Sequence, residues 1–85
     1  MKSNEDSTKQ LRWMYGTRKS KLFETNIHSV YNRLIATVQY MDGAFVITTQ
    51  HKTDLASDQT IKADCEATIS SMERWLADEI AKKLT

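Results

Sequence analysis

The chain has 85 residues, of which 40% are hydrophobic and 27% are charged, and its formal net charge is +1. Such a length forms one domain with a small core, and this composition is that of a globular protein, neither disordered nor membrane-like. No run approaches the roughly 20 apolar residues of a membrane-spanning helix, and the first residues lack the apolar run of a secretory signal peptide, so we expect a cytoplasmic protein without membrane contact.

The small net charge conceals two halves of opposite sign. Residues 1–53 contain eight Lys or Arg and four Asp or Glu, a net charge of +4, whereas residues 54–85 contain four and seven, a net charge of −3. The basic excess is concentrated between Lys9 and Arg33. A dipolar chain of this kind can attract an anion at one end, or a second copy of itself.

The N-terminal third predicts a tail and two short strands. Residues 1–10 are polar and aperiodic, which is typical of a flexible tail, and a single domain then spans 11–85. In an extended chain Leu11, Trp13 and Tyr15 share one face. Residues 16–20 are expected to form a loop, and residues 21–25 a second strand.

Residues 26–50 contain the clearest turn signal. The apolar residues of 26–41 fit both a helical and an extended period. Asp42-Gly43 resolves the ambiguity, because this pair favours a type I′ turn in which both residues have positive φ. Folding about it pairs Tyr40 with Phe45 and Val38 with Ile47, which predicts strands near 33–41 and 44–50. Residues 27–31 remain compatible with a helical turn.

The C-terminal third predicts one long amphipathic helix. Ser57 or Asp58 is a suitable N-cap. Beyond it an apolar stripe advances in steps of three and four residues and consists of Ile61, Cys65, Ile69, Met72, Leu76, Ile80 and Leu84. The stripe covers about 36 Å, more than the roughly 23–31 Å of the hairpin strands. The end of the helix should therefore expose apolar surface.

We expect no catalytic residue, no metal site and no cofactor. A catalytic thiol needs a nearby imidazole, but Cys65 lies on the apolar stripe, where cysteine is usually a small buried hydrophobe. Cys65, His28 and His51 are also too few for a four-ligand zinc site. Two glycines cannot form a Gly-rich phosphate loop. The chain is therefore interpreted as a non-enzyme.

The predicted fold is α+β, with a small antiparallel sheet of three or four strands and one long C-terminal helix packed on one face. This order of elements is similar to that of single-strand-binding folds that dimerise through a terminal helix, but a shared architecture does not fix function. Our leading hypothesis is a small interaction or regulatory protein that binds another protein and forms a homodimer. Its expected interface consists of Met72, Trp75, Leu76, Ile80 and Leu84.

The alternative hypothesis is a nucleic-acid-binding module that uses the basic and aromatic N-terminal half. Phosphates would contact Arg12, Arg18, Lys19 and Lys21, and bases would stack on Trp13, Tyr15 or Phe23. The competing interpretation is that these aromatics belong to the core, since the alternation that exposes Arg12 buries Trp13. The acidic helix would repel a polyanion unless it lies on the opposite side of the sheet, so we rank this hypothesis second.

Overall fold

The computed structural model describes residues 9–28 and 32–84. They form a four-stranded antiparallel sheet, with strands in the order of the sequence, followed by one helix. The elements are β1 (Lys9–Met14), β2 (Lys19–Asn26), β3 (Asn32–Met41), β4 (Ala44–Thr49) and α1 (Asp58–Leu84). The α+β prediction is thereby confirmed, with four strands.

The turn between β3 and β4 has the predicted conformation. Asp42 has a φ of 53° and Gly43 a φ of 85°, as a type I′ turn requires. The register is also as predicted, with Tyr40 opposite Phe45 and Val38 opposite Ile47. The turn and the cross-strand pairs therefore specify the same hairpin.

The first hairpin is longer than predicted. Strand β1 begins at Lys9, so the last two residues of the predicted tail, Lys9 and Gln10, belong to the sheet. The preceding residues lie outside the described part of the chain, as do residues 29–31, where a helical turn remained open. Gly16 fits the β1–β2 loop because a Cβ at this position would lie 2.5 Å from the carbonyl oxygen of Lys19.

A β-bulge between β2 and β3 adds one apolar side chain to the core. Leu22 pairs with Ala36 and Phe23 with Leu34, so Ile35 is the extra residue. Its side chain is fully buried. The core cluster lies between one face of the sheet and α1, and it contains Leu22, Ile35, Ala36, Val38, Ile61, Cys65 and Met72.

Helix α1 begins at a side-chain cap and crosses the sheet obliquely. The backbone N–H of Thr60 donates to Ser57 Oγ at 3.1 Å, which confirms Ser57 as the N-cap. The first turns lie near the end of β4, where Ile61 and Thr49 line one groove. The later turns lie over the start of β2, where Ser20 Oγ is 3.3 Å from Met72 Sδ.

Candidate interaction surfaces

The predicted helix interface divides into three environments. Met72 is fully buried and Leu76 is 9% exposed, so both pack onto the sheet of their own chain. Ile80 is 50% exposed and Leu84 is 83% exposed, because they lie beyond the last buried residue of α1. Trp75 is five residues before Ile80, which is about 140° around a helix of 3.6 residues per turn. It therefore belongs to a different side of the helix.

Trp75 joins an aromatic cluster with the β1 side of the sheet. The ring of Tyr15 stacks on that of Trp13 at a centroid distance of 5.7 Å and meets Trp75 edge-on at 5.8 Å. These three rings line a groove of about 460 Å³, together with helix residues such as Ala67 and Ser71. Trp13 is half-buried and packs against the core cluster, as expected for a core residue, whereas Tyr15 is 58% exposed and does not belong to the core.

The C-terminal half of α1 is tied to the first hairpin by an ion pair. One guanidinium nitrogen of Arg18 lies 3.0 Å and 3.3 Å from the two carboxylate oxygens of Glu79. Lys83 lies 3.8 Å from the same carboxylate. Arg18, one of the four predicted phosphate ligands, therefore points to the helix side of the molecule.

The other three predicted phosphate ligands share the face of the sheet that the helix leaves open. Arg12 pairs with Phe23, and Lys21 pairs with Met14 on one side and with Thr37 on the other. These positions alternate with the core residues of β1 and β2, so their side chains point away from α1. Lys19 lies two positions before Lys21 and has the same orientation.

The open face contains no acidic side chain among the described strand residues. It presents the even-numbered residues of β1 and β4 and the odd-numbered residues of β2. On β3 the bulge changes the parity, so Asn32 and Leu34 share this face with Thr37, Gln39 and Met41. The strand carboxylate of Glu24 is on the helix side, where it is buried and accepts a 2.6 Å hydrogen bond from Thr53 Oγ1.

A shallow depression occupies one corner of the open face. Its volume is about 540 Å³, and it is lined by Arg12, Trp13, Met14, Phe23, Thr25 and Asn32. Met14 is 64% exposed. The depression thus combines one cation, two aromatic residues, a thioether, a hydroxyl and an amide.

The residues considered for thiol or metal chemistry, Cys65, His28 and His51, lie in different environments. Cys65 is fully buried beneath the sheet, and burial, with the nearby carboxylates of Asp64 and Glu66, raises the pKa of its thiol. A neutral, buried thiol is a poor nucleophile. His28 and His51 are both exposed, and Nδ1 of His51 lies 2.8 Å from the carbonyl oxygen of Leu34. Within the described ranges, no group of three or more His, Cys, Asp or Glu could hold a metal ion.

No protein-family model, curated protein or solved structure matched the chain. In residues 9–28 and 32–84, no helix has the length and apolar character needed to cross a membrane.

Sequence reasoning missed the contact between Tyr15 and Trp75. The alternation of β1 places Tyr15 beside Trp13, but the direction in which α1 crosses the sheet selects the helix residue that meets them. No local pattern specifies that direction. The same holds for the Arg18–Glu79 pair, whose members are 61 residues apart in the chain.

Proposed function

We propose that this protein acts without catalysis, as a small interaction protein, and that its partner is a second copy of the same chain. The observation that carries the proposal is the exposed apolar end of α1. Eight residues follow Leu76, a length of about 12 Å, and they retain the stripe whose earlier members are buried. An apolar stripe that continues past its own core indicates a surface for another molecule.

The proposed contact is a narrow seam on the end of α1. With 100° per residue, Ala77, Ile80, Ala81 and Leu84 fall on one side of the helix. Two isobutyl-sized side chains provide apolar area, and two alanines allow a second helix to approach closely. Trp75 is outside this seam, since it packs against Tyr15.

The dimer should be weak. Two turns of helix from each copy bury less than the roughly 1,200 Å² of a standard specific interface. We therefore expect a monomer–dimer equilibrium that depends on concentration. Sedimentation velocity between 10 and 500 µM should show a rise towards twice the 9.8 kDa mass of the chain.

A double variant tests the location of the contact. Ile80→Gln with Leu84→Gln should leave a monomer at all these concentrations, with an unchanged melting temperature, because both side chains are already exposed. Ile27→Gln is the matched control, since Ile27 is 58% exposed but follows β2 at the opposite end of the sheet. A wild-type protein that remains monomeric at 500 µM, or an equal loss of dimer in the control, contradicts the proposal.

A further inference from the structure

We infer that the open face of the sheet binds single-stranded nucleic acid. The proposed surface, which we call the basic face, consists of Arg12, Lys19, Lys21 and Phe23 with the depression beside them. It lies on the opposite side of the sheet from α1, so its occupant does not compete with the helix contact proposed above.

The charges of the molecule are divided between the two sides of the sheet. The basic face carries Arg12, Lys19 and Lys21, and no carboxylate among the described strand residues. Helix α1 carries six acidic and four basic residues, a net charge of −2, on the other side. A polyanion on the basic face is therefore attracted by three cations and kept away from the acidic surface by the sheet itself.

The cations lie in an arrangement that suits a phosphate backbone. Lys19 and Lys21 are two residues apart on β2, a separation of about 6.8 Å along the strand. Arg12 is on the neighbouring strand, directly opposite Phe23. In contrast to Arg18, which binds Glu79, these three side chains have no ion pair among the described salt bridges. They can therefore meet phosphates without breaking an internal contact.

Phe23 and the depression beside it favour unpaired bases over paired ones. They would contact the bases of the strand, while the cations contact its phosphates. A ring on an open sheet face can stack on a base only when that base is not paired. Thr25 and Asn32 line the same depression as Phe23, and their hydroxyl and amide groups can hydrogen-bond the edge of a stacked base. An acidic peptide would use the cations, but its carboxylate side chains offer no flat aromatic face that stacks on the ring. These residues favour a nucleic-acid strand over a peptide.

The test is a fluorescence anisotropy titration with a labelled 12-nucleotide single strand at 50 and 150 mM salt. Wild-type protein should bind at 50 mM and more weakly at 150 mM. Lys19→Ala with Lys21→Ala should lower the affinity at least tenfold at 50 mM, and should lower the salt slope by about 1.4, or roughly 0.7 per lost phosphate contact. Phe23→Leu keeps an apolar side chain and should weaken binding about fivefold or more, because the stacking platform is lost.

Matched control variants distinguish binding at the basic face from non-specific attraction by positive charge. Lys62→Ala with Arg74→Ala removes the same charge from exposed positions of α1 and should leave the affinity within twofold. Thermal melts of all variants establish that each is folded. The inference is overturned if wild type does not bind at 50 mM salt, if the two charge variants lose affinity equally, or if Phe23→Leu binds like wild type. Tighter binding to a duplex, or equal competition by poly-glutamate, also overturns it.

Discussion

Gly16 and Gly43, the two glycines of the chain, are required for different physical reasons. A side chain at Gly16 would collide with the backbone of Lys19. At Gly43 there is open space, since no atom outside Gly43 and its two chain neighbours lies within 4 Å of the place that a Cβ would take, but the φ is +85°. Residues with a Cβ rarely adopt this conformation. The requirement at Gly43 is therefore purely one of backbone conformation.

Gly43→Val should lower the free energy of unfolding by more than about 1 kcal/mol, because a β-branched residue resists positive φ. Val46→Thr is the comparison in the same hairpin. Val46 is 42% exposed on the open face and threonine is a good strand former, so its loss should be small. Urea denaturation of both variants measures the difference, and equal losses would contradict the role of the turn.

For individual residues, the sequence predicted the direction of a side chain better than the residue that it contacts. The alternation of β1 correctly separated Arg12 from Trp13, since alternation follows directly from strand geometry. It did not predict that Arg18 pairs with Glu79. A loop residue has no fixed periodicity, so its direction depends on the element that packs nearby.

The start of α1 is fixed by one capping residue, Ser57. Ser57 Oγ accepts the backbone N–H of Thr60 and lies 3.0 Å from its hydroxyl. These bonds satisfy a group that the helix itself leaves unpaired. The helix then runs for 27 residues without a proline or glycine.

Two serine-to-alanine changes at α1 should differ in their effect on stability. Ser57→Ala removes the cap and should destabilise the protein by about 1 kcal/mol. Ser70→Ala, at an exposed position in the middle of the helix, should be neutral or slightly stabilising, because alanine is the better helix former. Thermal denaturation followed by circular dichroism compares them. A loss in Ser70→Ala as large as that in Ser57→Ala would argue against the cap.

Elements with two agreeing local signals were predicted with nearly their observed bounds, whereas β1 and β2, which had weaker signals, were predicted shorter than they are. The β3–β4 hairpin had a turn pair and a matching register, and the helix had a cap and a long apolar period. No local signal predicted the bulge at Ile35, because a bulge is defined by the register in which β3 pairs with β2. The length of β1 was underestimated because Lys9 and Gln10 are polar edge residues.

The molecule as a whole presents two surfaces of different chemistry on opposite sides of one sheet. The sequence indicated that the basic and acidic residues lie in different halves of the chain. That they lie on opposite sides of the sheet depends on the side on which α1 packs. That choice is set by which strand residues are apolar: Leu22 and Val38 face the helix, whereas Lys21 and Thr37 face away. The same alternation therefore determines both the core and the basic face.

The order of the strands also has a consequence for the rate of folding. Every strand pairs with its neighbour in sequence, across connections of two to five residues. Such short closures cost little entropy, and local contacts are associated with fast folding. The contacts of α1 with the sheet are distant in sequence, since Ser20 meets Met72 and Arg18 meets Glu79. The hairpins should therefore form first and the helix should dock last.

Stopped-flow kinetics in urea would reveal this sequence of events. Gly43→Val should mainly slow folding, because its turn is formed in the transition state, whereas Leu76→Ala should mainly accelerate unfolding. Leu76 lies at the last contact of α1 with the core. If Leu76→Ala slowed folding as much as Gly43→Val, the helix would already be docked in the transition state. With late docking, the apolar face of the sheet would be uncovered until α1 closes over it, and a variant that slows this closure should aggregate more readily during refolding.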